Sequence, residues 1–383
     1  MTPLRKVVVP EFVFGRGARF LAGRYAANFG GCRALIVTDP GVIAAGWVAD
    51  VRRSVEEAGL AVEEFSSVSP NPRSDEVMLG VEIYRSRRCD VIIAVGGGSP
   101  IDCAKGIGVV STNQGHILSF EGIDKVGRPG APLVCVPTTA GTSADVSQFA
   151  IITDRTHRRK LAIISKTVVP DVSLIDPETT TSMDVYLTIC TGLDALVHAV
   201  EAFVSLAHSP ILDLHALEAI RLIHENLPAA RDRPHDLERR EQIMRAALHA
   251  GIAFSNASLG AVHAMAHSLG GYLDLPHGEC NALLLDHVMA FNYQAAPERY
   301  DQIGMAFGLD LRGMTSREKK HALCTEIHTF KQKLGVADGL VARGVSQSDL
   351  LDLARNALID ACIVTNPRPA VRRDLEVIYE EAM

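Results

Sequence analysis

No excess of basic charge runs through this chain: 38 Lys and Arg are outnumbered by 45 Asp and Glu, for a net charge of −7. That balance argues against nucleic acid or an anionic membrane as the main partner. The two dense basic clusters, Arg155–Lys160 and Arg231–Arg240, are short and interleaved with acids or turn residues, and read as solvated surface. CxxC pairs are also missing. The eight cysteines (Cys32, Cys89, Cys103, Cys135, Cys190, Cys280, Cys324, Cys362) are scattered, several in apolar contexts. They fit reduced thiols in a cytoplasmic protein rather than a disulfide framework. No segment approaches the roughly 18 uninterrupted apolar residues of a membrane span. The N-terminus, MTPLRKVVVPEFVFG, lacks the apolar run of a signal peptide. Internal repeats, low-complexity tracts and a GxGxxG motif are absent as well.

What is present is an ordinary globular composition, 47% hydrophobic and 22% charged over 383 residues, long enough for two domains. In the first half, short β-branched runs alternate with helical stretches. RALIVTD (33–39), AVEEF (61–65), DVIIAVGGG (90–98) and PLVCVPTT (132–139) read as buried strands. The segments between them include ADVRRSVEEAG, SDEVMLGVEIYRSRR and SPIDCAKGIGVV, all of helical period. Strands separated by helices imply a parallel sheet covered on both faces. VVPDVSLIDPE (168–178) closes this part. Beyond about residue 180 the period becomes 3.6 throughout, over 184–206, 210–227, 236–256, 258–272, 279–292 and 297–307. The expected organisation is an α/β nucleotide-binding domain over 1–180 and an all-α domain over 181–383.

The helical half carries two pairs at one-turn spacing: Asp194/His198 in CTGLDALVHAVEAF and His263/His267 in GAVHAMAHSLGG. His277 follows in LPHGECN. Residues four apart share a helix face, so each pair can aim two ligand-type groups at one centre. Three imidazoles and a carboxylate suit Zn²⁺ or Fe²⁺. A buried Asp needs such a partner. Any one pair could be a satisfied core histidine, but two pairs and a third His in Ala/Gly-rich helices favour a metal.

In the first half, GGGSPID (96–102) lies between a buried strand and a helix. Glycines let backbone approach a phosphate, and a helix N-terminus supplies amide donors. Ser99 reads as the N-cap, Pro100 as the first helical residue and Asp102 as a capping side chain. Asp39 ends a buried strand, a place from which a carboxylate binds ribose hydroxyls and repels a 2′-phosphate. PTTAGTSAD (137–145) sets Thr138, Thr139, Thr142 and Ser143 at the carboxyl edge of the sheet, where ligands of open α/β folds bind.

GGGSPID, PTTAGT, DALVHAVEAF, HAMAHSLGGYLDLPHGECNALLL and the closing ACIVTNPRP together resemble the iron-containing (group III) alcohol dehydrogenases. The likeness covers essentially the whole chain. It is nearest the lactaldehyde/1,2-propanediol reductases and the NAD-dependent methanol or butanol dehydrogenases. The resemblance implies an N-terminal domain like that of dehydroquinate synthase and a helical metal-binding domain. It implies Asp194, His198, His263 and His277 as metal ligands, and His267 as a catalytic histidine near metal and nicotinamide. Asp39, Asn71, Gly97, Gly98, Ser99, Asp102, Thr138, Thr139, Thr142, Phe149 and Lys160 fall at dinucleotide-contacting positions, while Phe254 and Cys362 line the substrate pocket. One departure stands out: many members read GTGSEVT where this chain has GTSADVS (141–147), so Ser143 replaces a glycine.

The expected activity is NAD-dependent interconversion of a small primary alcohol or diol and its aldehyde. A divalent metal acts as Lewis acid on the alcohol oxygen, and His267 relays the proton. Iron is the expected metal, with zinc possible. Rival readings on the same fold are a dehydroquinate synthase-like or glycerol dehydrogenase-like enzyme, or a metal-binding assembly protein without turnover. The first of these wants Lys and Arg in its pocket, and segments 251–280 and 358–366 contain none. Finally, KVVVPEFVFG (6–15) is a β-prone run with Pro10 in its middle. An apolar edge strand invites pairing, and a homodimer joined through residues 6–15 is expected.

Overall fold

The β-branched runs of the first half do form strands. The computed structural model describes residues 6–157, 159–336 and 339–383. Its strands are β1 Glu11–Phe14, β2 Arg33–Val37, β3 Ala61–Phe65, β4 Val91–Gly96, β5 Gly122–Ile123, β6 Leu133–Pro137, β7 Phe149–Asp154, β8 Arg159–Ile164 and β9 Val172–Ile175. Six of them make one parallel sheet in the order β1-β9-β6-β4-β2-β3. Alternate residues of β2 and β4 feed opposite cores, as the two-residue strand period requires. Leu35, Val37, Ile92 and Ala94 join Val77, Val81, Ile101 and Ile107 from the helices Ser74–Ser86 and Gly98–Thr112. Ala34, Ile36, Val91 and Ile93 join Ala22, Ala26, Val48 and Val51 from Ala22–Asn28 and Trp47–Glu57. Burial on both faces explains why these strands read as unbroken apolar runs rather than alternating ones.

Three features escaped the sequence reading. β7 and β8 form an antiparallel hairpin, which with β5 makes a second, three-stranded sheet. The basic cluster 155–160 is the turn and returning arm of that hairpin, and only part of it is solvated. Arg155 to His157 are exposed, Arg158 lies outside the described residues, and Arg159 and Lys160 are half-buried. Arg159 bonds Glu121 through Nη2 and Oε2 at 2.7 Å. In the second cluster, Arg240 is 1% exposed, with its guanidinium donating to the Met183 carbonyl at 3.3 Å. Finally, residues 172–175, read as a closing segment, are β9, one place in from the sheet edge. β1 occupies that edge, paired in parallel register with β9.

The chain divides into two compact units, one of Val7–Asp184 with His235–Met244 and the other of Val185–Pro234 with Arg245–Met383. The second is helical. Its helices Val185–Val204, Pro210–Asp232, Ala261–Leu273, His277–Asn292 and Pro297–Ala306 each lie within a few residues of a 3.6-period segment, and Ser316–Lys333 follows them outside those segments. Val185–Val204 is long and apolar enough to cross a membrane by length and composition alone. Every residue from Thr188 to Val204 is buried, Asp194, His198 and Glu201 included, as in a core helix.

Candidate functional site

Asp194, His198 and Glu201 sit at successive turns of Val185–Val204 and therefore share one face. The start of His277–Asn292 lies hard against this helix. A Cβ added at Gly278 would fall 2.3 Å from the Cys190 carbonyl oxygen and 3.3 Å from Asp194 Cβ. That close approach brings His277 Nε2 to 3.7 Å from Asp194 Oδ1. His263, in the first turn of Ala261–Leu273, places its Nε2 3.9 Å from the same oxygen. One ligand atom from each of the three residues lies within 4.8 Å of the other two. His198 borders this trio, with Nδ1 3.9 Å from the other oxygen, Asp194 Oδ2. Its ring stacks between His263 (centroids 4.5 Å apart) and Phe254 (4.1 Å).

The donor set fits a divalent cation. Asp194 is 1% exposed and, among the described residues, has no Lys or Arg partner. A buried carboxylate without a compensating charge is costly. Burial also pushes the His263 imidazole well below its ordinary pKa, which leaves it neutral, the form that ligates. With bonds of about 2.0–2.2 Å, tetrahedral ligand atoms lie roughly 3.3–3.6 Å apart, so separations of 3.7 and 3.9 Å need only small shifts. Asn281, one turn after His277, donates from Nδ2 to Asp194 Oδ1 (2.7 Å) and lies 3.2 Å from both imidazole Nε2 atoms. Its amide hydrogens point where a cation's charge would be welcome.

Beside this trio lies a second group, His267, Asp360 and Cys362. His267 Nδ1 is 2.9 Å from Asp360 Oδ2, and its ring stacks on His277 with centroids 5.1 Å apart. Burial raises Asp360, but the adjacent His267 holds the carboxyl below its ordinary range overall. Cys362 is buried and its thiol pKa is pushed well up, so it stays protonated. This group is a hydrogen-bonded carboxylate–imidazole pair walled by a thiol. Asp360, Asn281 and Glu201 were missed by the sequence reading. For Glu201 and Asn281 a signal existed, since each extends a ligand's helix face by one more turn.

In the α/β unit, topology assembles the other set. β2, β4 and β6 are neighbours in a parallel sheet, so the loops after them emerge at one edge. The chain runs from β2 outward to β3, then returns to β4 on the other side of β2. That is a topological switch point, where open α/β sheets bind ligands. The loops carry Asp39, the glycines and the threonines. Gly97 and Gly98 are required by closeness: an added Cβ would meet Thr139 Cγ2 at 2.9 Å and Thr142 Cγ2 at 2.9 Å. Asn71 donates its backbone N–H to Ser99 Oγ (3.2 Å) and accepts from Lys160 Nζ at its side-chain oxygen (2.7 Å). Lys105 Nζ donates to the Phe149 carbonyl (2.6 Å) and so fixes the start of β7. Thr138 is buried, its N–H donating to the Gly96 carbonyl.

The capping expectation needs correcting. The helix starts at Gly98, two residues earlier than read, with Gly97 extended at the N-cap position. Ser99 and Asp102 are therefore inside the helix and look outward: Ser99 takes the Asn71 N–H, and Asp102 Oδ2 takes that of Ile151 (3.1 Å). Asp39 does cap, accepting from Val42 N at 2.9 Å as N-cap of the short helix Pro40–Ala44.

Comparison with known proteins decides the family. Residues 10–177 match the model for iron-containing alcohol dehydrogenases, and residues 188–383 match the C-terminal model of the same family. This chain is an iron-containing alcohol dehydrogenase. It is 40% identical to alcohol dehydrogenase 4 of Schizosaccharomyces pombe, covering 100% of this chain and 90% of that one. It is 36% identical to the NAD-dependent methanol dehydrogenase of Bacillus methanolicus, covering 98% and 99%. A crystal structure of 1,3-propanediol oxidoreductase superposes with a TM-score of 0.96 at 38% identity over 100% of both chains. The GTSADVS departure has a backbone consequence within this family. Ser143 sits at φ 47, the left-handed region where glycine is at ease and a side chain is not.

Proposed function

We propose that this alcohol dehydrogenase oxidises a small neutral primary alcohol or diol to its aldehyde with NAD⁺, and reduces the aldehyde with NADH. The cation is held by Asp194, His198, His263 and His277, and is Fe²⁺ or Zn²⁺ according to supply. The observation that carries this reading is the buried Asp194 carboxylate, ringed by imidazoles and an amide instead of a cationic side chain. When bound, the cation supplies Lewis acidity toward the alcohol oxygen.

The protein's own residues do the rest. Gly97, Gly98 and the N-terminus of Gly98–Thr112 receive the pyrophosphate, and Asp39 binds the ribose hydroxyls. Thr138, Thr139, Thr142, Asn71, Asp102, Phe149 and Lys160 shape the remaining dinucleotide surface. Asp360 holds His267 Nδ1, so Nε2 of His267 is placed to take the hydroxyl proton, and the nicotinamide, when bound, would supply the hydride acceptor. Phe254 and Cys362 wall the substrate, and the absence of Lys and Arg from 251–280 and 358–366 suits an uncharged one. The names of the methanol and propanediol relatives support short alcohols.

None of the eight cysteines forms a disulfide, which supports a reducing, cytoplasmic setting. The edge position of β1, with Phe12 exposed, supports a homodimer through residues 6–15. NADH formation with a panel of short primary alcohols, before and after chelation and with Fe²⁺ or Zn²⁺ restored, tests the central reading. Turnover that depends on added cation is expected, and full turnover of the chelated protein would refute it.

A further inference from the structure

Glu201 is a buried carboxyl group beside the metal trio that the reaction scheme above leaves without a task. Its carboxylate is buried, and burial raises its pKa to about 7 against the pull of three backbone N–H groups. Those donors come from the start of the helix that carries His263. Oε2 accepts from Gly260 N (3.0 Å) and His263 N (3.3 Å), and Oε1 from Val262 N (2.6 Å). Ala261 N goes instead to Asn366 Oδ1 (3.1 Å). The helix thus begins on two side chains from elsewhere, and its own N-cap residue, Gly260, contributes none. Gly260 has no room for one, since a Cβ there would meet Asn366 Oδ1 at 2.8 Å and Glu201 Oε1 at 2.9 Å. The fifth contact of this arrangement is His263 Nδ1, 2.7 Å from Glu201 Oε2.

We infer that Glu201 is a positioning residue for the cation: it selects the His263 tautomer that leaves Nε2 bare toward Asp194. Oε2, the oxygen that meets His263 Nδ1, already receives two backbone N–H donors, so it has no free side for a proton and the shared hydrogen sits on His263 Nδ1. The Asn281 amide nitrogen, a donor, lies 3.2 Å from Nε2, so with the proton on Nδ1, Nε2 presents a lone pair. That nitrogen faces Asp194 Oδ1 at 3.9 Å. Because the same carboxylate seats the backbone of residue 263 and its ring, a single group fixes both the position and the electronic form of the ligand. The charge on Glu201 also makes Nε2 a stronger donor, as carboxylates behind ligating histidines do.

The inference rests on the proposed cation site, and the experiment separates the two. In the metal-free protein, ¹⁵N chemical shifts of the histidine rings report the tautomer without any reference to metal. His263 is expected to be protonated at Nδ1 in the wild type. Glu201→Gln keeps the side-chain volume and an oxygen for the Gly260 and His263 N–H groups, but loses the charge and the acceptor for Val262 N. Its affinity for Zn²⁺, read by chelator competition, is expected to fall about 10–100-fold. Asn366→Ala removes a cap from the same helix without touching His263, and is expected to lose far less affinity. A wild-type His263 protonated at Nε2 would overturn the inference. So would Glu201→Gln with unchanged Zn²⁺ affinity, or Asn366→Ala with an equal loss. His277→Ala is the control: if it keeps wild-type Zn²⁺ affinity, the cation site itself is wrong, whatever Glu201 does.

Discussion

In the helical unit, the site is built from side chains: Asp194, His198, His263 and His277 bring charges and lone pairs, and the helices only aim them. In the α/β unit, the candidate dinucleotide surface is built mostly from backbone. Gly97 and Gly98 matter there for what they lack, because a Cβ on either would strike a threonine of the next loop. The first kind of site concentrates its chemistry in a few irreplaceable atoms. The second spreads weak contacts over many residues, so any one change there should cost less.

The largest expected effect follows from the side-chain site. His277 is 22% exposed, so truncating it disturbs packing least. His277→Ala should lower kcat/KM for the best alcohol on the order of 10³-fold, since Lewis-acid assistance contributes several kcal/mol. NADH binding, followed by fluorescence, should survive. If metal content and turnover both stay at wild-type levels, the contrast between the two sites collapses. Asp39 is the carboxylate assigned to the ribose hydroxyls and should behave in between. A carboxylate beside a 2′-phosphate costs a few kcal/mol at intermediate dielectric, so Asp39→Gly should narrow or invert the preference for NAD⁺ over NADP⁺. Its helix cap is lost too, but replacement of an N-cap by Gly costs only about a few tenths of a kcal/mol. A wild type that prefers NADP⁺ would contradict the role given to Asp39. The smallest effect is expected at Ser143. Ser143→Gly relieves a left-handed backbone at φ 47, against the extra chain entropy of glycine. The net gain should be under about 1 kcal/mol, visible as a slightly raised melting temperature with turnover little changed. A clear loss of stability would mean that the serine hydroxyl earns its place.

The same contrast explains what the sequence disclosed. Side-chain chemistry at helical spacing is visible without a fold, so Asp194/His198 and His263/His267 could be paired by counting residues. Central strands buried on both faces, such as β2 and β4, announce themselves as apolar runs. Backbone-dependent features do not. Ser99 was read as an N-cap because its residue type suits one, but Gly97 takes the extended conformation and starts the helix earlier. The β7–β8 hairpin was hidden because Arg155, Thr156 and His157 between its strands include none of the Gly, Pro or Asn residues that announce a turn. Asp360 is 93 residues from the histidine it bonds, and no local pattern links them. Glu201 was within reach, one turn beyond His198 on the same face.

The central claim is that the Asp194, His263 and His277 side chains enclose a divalent cation. X-ray data from protein crystals grown with Fe²⁺ or Zn²⁺, measured on both sides of the metal's absorption edge, address it directly. The account predicts one anomalous-difference peak within ligand distance of Asp194, His263 Nε2 and His277 Nε2, with His198 completing the shell. A peak confined to His267, Asp360 and Cys362, or none at full metal loading, would contradict it.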